Sequence, residues 1–358
     1  MPATWRRNFN WDRIPLLNTI ATRPSARRRR AYTWVGYAVS IACLVWVLYD
    51  FHVRQALEEL AAVSWRWVAL GIGLDILSYV VQGLRWKFLL SPFGRVKTKN
   101  AIRAVFVGLF ANVLFPLRPG EPLRAYLIAN SEDLGFVTVL GSVLVERLID
   151  LVVTTAGLAV MSLFVPLPER FRHAADVLGI ATLALLGVFV ALIIYIELRF
   201  AGDPRRMYGG KRVPGKLMST LIGLHVMGTS PSFYPAVLTS LLMPFCQVLA
   251  LWAMMRSYGI GLPFIAAVVL LLIINLGVSL PNAPANVGSY QLFCILGLSI
   301  FMVVDRNTAK SFSFFAWWML TLPVALLGLY AALRSGLSIR SLREQVIRLP
   351  SEANAPRA

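Results

Sequence analysis

Cysteine, histidine and charged residues are all scarce in this sequence. The 358 residues include 3 cysteines and 3 histidines, and 15% are charged, compared with about 25% in soluble domains. The cysteines lie inside apolar runs and the histidines near the ends of such runs, so neither set has the spacing of a metal site or a disulfide framework. We therefore expect no metal ion and no cofactor. The residues concerned are Cys43, Cys246, Cys294, His52, His173 and His225.

Hydrophobic residues make up 58% of the chain, and the mean hydropathy is +0.67. These values predict an all-α polytopic membrane protein. The net charge of +18 comes from arginines and lysines in short segments between apolar runs. That distribution is typical of residues that fix membrane topology and contact anionic headgroups. We therefore expect anionic membrane lipids as partners and no nucleic acid.

The positions of the basic residues place both termini in the cytoplasm and indicate about six full crossings of the membrane. We predict a basic cytoplasmic tail at residues 1–32, a transmembrane domain at 33–335, and a cytoplasmic amphipathic helix with a tail at 336–358. The predicted crossings are 34–49, 67–90, 137–165, 177–198, 236–258 and 312–333.

The stretch 114–124 interrupts an apolar region and organises the rest of the chain. Three prolines and a glycine within seven residues break any helix that passes through it. The apolar run on either side is shorter than the roughly 20 residues that a spanning helix needs. Arg118, Glu121 and Arg124 lie at the break, and charged groups there must face protein or a water-filled cavity. We interpret this region as a membrane substrate site, with an ordinary cytoplasmic loop as the alternative.

A second interruption resembles the first. Each has an asparagine in an apolar run, then a proline, a second proline three residues later, and a glycine. Interrupted segments at corresponding positions of two oppositely oriented halves are typical of transporter sites. We predict two re-entrant helical hairpins in an inverted repeat, one opening from the cytoplasm and one from outside; the alternative joins two full spans at each break. The matching residues are Asn112, Pro116, Pro119 and Gly120, and Asn275, Pro281, Pro284 and Gly288.

The helix that follows this second break needs a cap for its free amide groups. We expect Asn286 or Ser289 to supply that cap.

Two of the predicted crossings carry polar residues along one face, which indicates that this face lies inside the helix bundle. In the crossing at 137–165, Arg147 is placed to neutralise Asp150, and Glu146 belongs to a series with i, i+4 spacing. We expect Glu146 and Asp150 to form an internal ion pair with the Arg118 and Arg124 segment, to act as binding groups in the cavity, or both. The series is Ser142, Glu146, Asp150 and Thr154.

The crossing at 67–90 has a comparable stripe. Arg85 lies six residues from its end, so it either extends to the cytoplasmic interface or reaches the broken segment. The stripe consists of Asp75, Ser78, Gln82 and Arg85.

The chemistry of the first break favours an anionic ligand. A helix beginning at Pro122 would direct free amide groups at the break, where they attract an anion. Arg118 and Arg124 add planar donors that suit phosphate, and Arg85 is a candidate third. Glu121 offsets them, or binds a cationic headgroup or one of the arginines. We predict a phospholipid or polyprenyl-phosphate headgroup, bound by Arg85, Asn112, Arg118, Glu121, Arg124, Glu146, Arg147, Asp150, Asn282, Asn286 and Gln291.

Through these residues the chain resembles the lysylphosphatidylglycerol synthase transmembrane-domain family, also called the flippase-like domain. The resemblance covers residues 34–335 approximately. It departs from the usual pattern at Ala285, where a glycine is common, and at Gln291, where an acid is expected. The stretches that carry it are Leu84 to Trp86, Asn112 to Pro116, Arg118 to Glu121, Arg124, Ser142 and Val143, Glu146 and Arg147, Asp150, and Pro281 to Tyr290.

The resemblance implies a lipid-translocating module in the bacterial inner membrane or its archaeal counterpart. Name-giving members carry a soluble aminoacyl-lipid synthase domain. Because the sequence ends at residue 358, we expect a stand-alone member with a separate lipid synthase as a candidate partner.

We expect a lipid flippase or transporter rather than an enzyme, because inverted broken helices favour transport. One alternative is a membrane transferase that uses a lipid phosphate, with Glu121, Glu146 and Asp150 as a base or metal ligands; Arg147 among these acids argues against it. The other is a scaffold that recruits a lipid-modifying synthase through the basic tails. An enzyme would depend on a metal and change the product, whereas a transporter changes only the leaflet.

Overall fold

The computed structural model describes residues 37–38, 40–49, 51–115, 118–165, 179–188, 230–278, 283–301 and 304–336, with single positions at 173, 176, 177, 191 and 194. Within these residues all regular secondary structure is helical. The predicted tail at 1–32, nearly all of the tail at 336–358, and Asn282 lie outside the described residues.

Eleven helical segments follow one another in the described residues, and a 3₁₀ turn at Pro284–Asn286 precedes the tenth. They are α1 (40–48), α2 (Val53–Ala61), α3 (Trp65–Leu90), α4 (Thr98–Leu114), α5 (Gly120–Ser131), α6 (Phe136–Ser162), α7 (Gly179–Val188), α8 (Phe233–Ser257), α9 (Phe264–Val278), α10 (Ser289–Ser299) and α11 (Arg306–Arg334).

Three of these helices, α3, α8 and α11, are long and apolar enough to cross a membrane, with 26, 25 and 29 residues. Helix α6 has 27 residues, and its three charged side chains fall within five consecutive positions near its middle. Large apolar side chains point outward from α8 and α11, for example Leu238, Phe245 and Leu326. An extended apolar surface of this kind is suited to contact with lipid tails.

Helices α3 and α8 pack closely along their length, and α4 packs on both α3 and α11. The approach of α3 to α8 depends on a small residue, since a side chain at Gly71 would meet the terminal methyl group of Met254 and the carbonyl of Ala250. Small residues at such contacts let two membrane helices approach closely. Leu251 of α8, Leu270 of α9 and Phe312 of α11 belong to the largest buried apolar cluster of the described residues.

The first interruption folds as a compact hairpin of α4 and α5. Asn112 near the end of α4 accepts a hydrogen bond from the backbone amide of Gly120, at 2.8 Å from N to Oδ1. The two backbones touch at Gly108 and Gly120, where a β-carbon on Gly120 would collide with the Gly108 carbonyl. The polar side chain at the break therefore caps the second helix, and the glycines set the hairpin's spacing.

The second interruption also folds as a hairpin, formed by α9, the 3₁₀ turn and α10. Gly277 lies against the ring of Phe293, which leaves no space for a side chain. The backbone reverses through Ala285, Asn286 and Gly288, all with positive φ angles. Gln291 accepts a hydrogen bond from the amide of Gly288 at 2.7 Å. In both hairpins, then, a side-chain amide oxygen binds the backbone N–H of the glycine that opens the second helix.

Two local predictions were wrong. Helix α5 begins at Gly120 and not at Pro122, because Pro119 occupies the capping position and Pro122 is accommodated in the first turn, where no intrahelical donor is needed. Neither Asn286 nor Ser289 caps α10; Gln291 does so from inside the helix. The Asn286 side-chain oxygen is engaged by an arginine of the other hairpin.

Helix α2 is bonded to α11 through Gln55, and the carboxylate of Glu59 links it to both α11 and the end of α8. Glu59 accepts hydrogen bonds from Tyr258 at 2.9 Å and from Thr308 at 2.6 Å. Further donors to it are Gln55 and Ser311. One acidic residue thus joins three helices at this end of the bundle.

We expect Glu59 to make the stability of this region pH-dependent. Burial raises the pKa of its carboxyl, but the hydrogen bonds from Ser311, Thr308, Tyr258 and Gln55 outweigh burial, so the pKa lies below its ordinary value. Its contribution is therefore complete above the unfolded-state pKa and is lost as the pH falls through the folded-state pKa. Between neutral and acid pH, the unfolding temperature should fall less in Glu59→Gln than in the native protein. An equal fall in unfolding temperature in both proteins would contradict the prediction.

Candidate functional site

The most polar part of the bundle is an ion cluster that joins α3, α5 and α6. Arg85 of α3 donates to Glu146 of α6 at 2.6 Å, and Arg124 of α5 donates to the other carboxylate oxygen at 2.8 Å. Arg85 also pairs with Asp150 at 2.5 Å. The side chains of Arg85 and Glu146 are fully buried. Arg85 therefore does not extend to the interface. Its partners Glu146 and Asp150 lie on α6 rather than on the broken segment, to which Arg85 is linked through the Glu146 carboxylate that it shares with Arg124.

A third pair extends the cluster towards its exposed end. Arg147 pairs with Glu121 at the start of α5 and lies 3.8 Å from Asp150. The side chain of Arg147 is 47% exposed, whereas that of Arg124 is 4% exposed. Three arginines thus face three acids, so the cluster is electrically balanced as it stands. Balance of this kind is what allows charges to persist inside an apolar bundle.

Neutral side chains complete the cluster. Gln82 donates to Glu146 at 2.7 Å, and the Trp86 indole donates to Ser142 at 2.9 Å while its ring lies 4.8 Å from the Arg124 guanidinium carbon. Ser240 of α8 accepts a long bond of 3.4 Å from Arg85. The carboxylate of Glu146 is thereby bound by Arg85, Arg124 and Gln82 together.

A small cavity of about 30 Å³ adjoins the exposed end of the cluster. Two buried polar atoms of its lining residues, Oε1 of Gln82 and Nε of Arg124, have no hydrogen-bond partner among the described residues. This volume is far below the roughly 300 to 1,000 Å³ of a typical ligand pocket. The site is therefore closed to a lipid headgroup in this conformation. Its lining is Gln82, Val105, Gly108, Leu109, Asn112, Gly120, Glu121, Arg124 and Arg147.

The tips of the two hairpins meet at Arg118. Its guanidinium donates to the carbonyl of Val278, at 2.5 Å, and to Oδ1 of Asn286, at 2.7 Å. Arg118 itself has a left-handed φ of 50°, which only a constrained non-glycine residue adopts. The other side of the second tip is held by Trp317 of α11, which donates to the Ala285 carbonyl at 2.9 Å.

We expect the Arg118–Asn286 contact to stabilise the junction of the hairpins. A double-mutant cycle with Arg118→Ala and Asn286→Ala should give a coupling energy of about 1.5 to 3 kcal/mol, the range for a hydrogen bond to a charged group. Denaturation in mixed detergent micelles measures it. The exposed pair of Arg54 and Glu58 is the control, with an expected coupling of about 0.3 to 0.5 kcal/mol. Equal couplings at the two pairs would contradict this role.

The predicted site residues divide into three groups. Arg85, Arg124, Glu146, Asp150, Arg147 and Glu121 form the ion cluster. Arg118 and Asn286 join the hairpin tips, and Asn112 and Gln291 cap the second helix of each hairpin. Asn282 lies outside the described residues.

The prediction missed several members of the cluster. Gln82 and Ser142 lie on the recognised polar stripes, so their spacing was a usable signal. Ser240 lies next to Thr239 on a mostly apolar helix. Both hydroxyls donate to carbonyls of their own helix, so nothing in the local sequence marks Ser240 as a partner of Arg85.

The family model for the lysylphosphatidylglycerol synthase TM region matches residues 33–328, more than four fifths of the sequence. The chain belongs to this family. Its match spans the ion cluster and both hairpins, so the motif-based resemblance is confirmed, as is the coarser prediction of a multi-pass helical membrane protein.

Three individual relatives of the chain are each less than 30% identical to it over the matched residues. A UPF0104 membrane protein of Methanothermobacter thermautotrophicus is 22% identical over 315 residues, covering 80% of this chain and 89% of that protein. Another UPF0104 membrane protein, from Methanocaldococcus jannaschii, is 28% identical over 115 residues, 31% of this chain and 34% of that protein. The glycosyltransferase AglD of Haloferax volcanii is 26% identical over 141 residues, which are 39% of this chain and 22% of AglD.

Proposed function

We propose that this protein moves a lipid with an anionic headgroup, a phospholipid or a polyprenyl-phosphate-linked lipid, between the leaflets of the membrane. The observation that carries the proposal is the meeting of two broken-helix hairpins at Arg118, beside an ion cluster that couples three helices. Paired broken helices around a polar centre are the architecture of many secondary transporters.

The proposed topology has six full spans and two re-entrant hairpins that enter from opposite faces of the cell inner membrane, with both termini in the cytoplasm. Helices α4 and α5 contain 17 and 12 residues, and α9 and α10 contain 15 and 11. At 1.5 Å per residue their lengths are about 16 to 26 Å, less than the roughly 30 Å of the hydrocarbon core. Neither hairpin needs to cross the membrane for its tip to reach the other.

In this proposal the headgroup binds at the exposed end of the ion cluster. Arg147 is the most accessible arginine there and its partner Glu121 is also partly exposed. A phosphate can replace the Glu121 carboxylate on Arg147, since a guanidinium binds phosphate through two parallel hydrogen bonds. The displaced Glu121 is then free to bind an ammonium group where the headgroup carries one.

Binding requires the site to open, because the present cavity of about 30 Å³ is far smaller than the roughly 300 to 1,000 Å³ of a typical ligand pocket. We propose that α5 moves relative to α6 when the Glu121–Arg147 pair breaks. The buried Arg124–Glu146 pair acts as the pivot, since it joins the same two helices and is shielded from water. The lipid tails remain in the bilayer throughout.

The similarity to part of AglD supports a second candidate, a lipid-phosphate-dependent transferase. The geometry favours this less. A general base needs a carboxylate that can accept a proton from substrate, whereas Glu146 is bound by two arginines and a glutamine. A scaffold role with a partner lipid synthase is a third candidate, and it predicts no change of leaflet.

Leaflet-resolved transport tests the proposal directly. Purified protein is reconstituted in vesicles with fluorescent phosphatidylglycerol, and a membrane-impermeant quencher reports the lipid that reaches the outer leaflet. We expect Arg147→Gln to slow transport by about tenfold, equivalent to the loss of one hydrogen bond to a charged group, and Arg54→Gln, an exposed arginine on α2, to have no effect.

Two outcomes would contradict the transport proposal. One is native protein that moves lipid no faster than empty vesicles. The other is a chemically altered lipid that appears only with an added divalent metal, which would favour the transferase.

A further inference from the structure

Asp75 is a buried acid that the proposed headgroup site does not use. It is the eleventh of the 26 residues of α3, so it lies about 15 Å from the start of that helix and close to the middle of a hydrocarbon core about 30 Å thick. The residue is 6% exposed.

The surroundings of Asp75 differ from those of Glu146. Glu146 is held by two arginines, but no cation of the described residues lies within ion-pair distance of Asp75, and no described donor binds its carboxylate. Ser78 donates only to the Asp75 backbone carbonyl, at 2.7 Å. An ionised carboxylate without a partner is costly inside a bilayer.

Two tyrosines are the titratable groups that interact electrostatically with Asp75. Tyr79 is one turn further along α3, and Tyr290 belongs to α10 of the second hairpin. Tyr290 in turn interacts with Cys294.

The other helices packed on α3 place their charges elsewhere. Those of α6 form the ion cluster, and the remaining charged residues of α4, α8 and α11 lie near helix ends: Lys99, Arg103, Arg256, Arg306, Lys310 and Arg334.

We propose that Asp75 is a proton-binding site whose protonation and deprotonation accompany the conformational cycle, an inference that rests on the transport function proposed above. Uptake of one proton converts the carboxylate to the neutral acid, which fits the closed, water-poor packing seen here. Release of that proton to water restores the charge, and the charged form is stable only where the bundle has opened. The proton is neither made nor consumed; it enters from one aqueous face and leaves to the other.

The position of Asp75 connects it to the ion cluster. Gln82 and Arg85 follow it on the same buried stripe of α3, and both are bonded to Glu146 of α6. A shift of α3 that admits water to Asp75 must therefore also displace Gln82 and Arg85 from α6. Protonation would in this way be linked to opening of the headgroup site, and a proton gradient could drive lipid movement.

Infrared difference spectroscopy of the reconstituted protein tests the proton site without any lipid assay. A pH step should produce a carbonyl band of a buried carboxylic acid in native protein. Asp75→Asn should lack the band, and Asp75→Glu, which keeps a titratable group, should retain it at a shifted position. Asp305→Asn is the matched control, because Asp305 is an exposed N-cap and asparagine also caps helices well; its spectrum should keep the band.

Persistence of the band in Asp75→Asn, or its absence from native protein, would overturn the proton site. A second measurement links the site to transport: an imposed pH gradient should change the rate of fluorescent phosphatidylglycerol movement in native vesicles and not in Asp75→Asn vesicles. A gradient effect of equal size in both would overturn the coupling. If native protein shows the band but moves no lipid, the transport proposal fails while proton binding stands.

Discussion

Replacing Glu146 by glutamine is expected to lower the free energy of unfolding by about 3 to 5 kcal/mol, the range for removing one partner of a buried ion pair. Glu146 is the shared acceptor of Arg85 and Arg124. Arg85 retains Asp150 as a partner, whereas the only ion pair of Arg124 among the described residues is with Glu146. The substitution therefore leaves a buried guanidinium with an uncompensated charge next to the Trp86 ring.

The same chemical change at an exposed position serves as the control. Glu58 pairs with Arg54 on α2, and these side chains are 69% and 93% exposed. We expect Glu58→Gln to change stability by less than about 0.5 kcal/mol. Both proteins are unfolded in a graded detergent titration and compared with the native chain.

A compensating substitution shows whether charge balance is the cause. In Glu146→Gln combined with Arg124→Met, one negative and one positive charge are removed together, and methionine fills much of the arginine's volume. We expect the double variant to recover more than half of the stability lost by Glu146→Gln alone, since a buried pair can often be replaced by apolar groups at little cost. A double variant less stable than both single variants would show that shape, rather than charge, holds the cluster together.

The members of this cluster were largely predictable because they lie at helical spacing within apolar stretches. Glu146 and Asp150 share one face of a helix, and Gln82 and Arg85 share another, so each had to point into the bundle. The pairings of Arg85, however, join residues 61 and 65 positions apart in the sequence. Local spacing therefore left the direction of Arg85 open, and only the packing of α3 against α6 decided it.

The contacts at the hairpin tips were harder to predict from the sequence. The repeated proline and glycine pattern predicted two breaks, and the structure folds each as a packed hairpin. The partners of Arg118 depend on how the two tips approach one another, and one of them is a backbone carbonyl, that of Val278, which no side-chain pattern can mark. The same holds for capping: Asn112 and Gln291 bind glycine amides because of the local loop path.

Replacing Gly120 by alanine is expected to cost at least about 3 kcal/mol of stability, at the upper end of the range for overpacking. A β-carbon at Gly120 would overlap the carbonyl oxygen of Gly108 and approach the Asn112 side chain to 2.6 Å. The obstacle at Gly108 is backbone, so no rotamer change can relieve it. To make room, α5 must move away from α4, which breaks the Asn112 cap and shifts Arg124 and Glu121 from their partners on α6.

Gly73 provides the matched comparison, because it is also a helical glycine and a β-carbon there would have no atom within 4 Å. Gly73→Ala should be neutral or stabilising by up to about 1 kcal/mol, the difference in helix propensity. Both substitutions are measured in the same detergent titration. Changes of opposite sign in the free energy of unfolding would show that the effect comes from the α4–α5 contact and not from the helix propensity of glycine. If Gly120→Ala were as stable as the native chain, the hairpin would have to open without cost, and it could then not hold Arg124 against Glu146 as the pivot of the proposed movement.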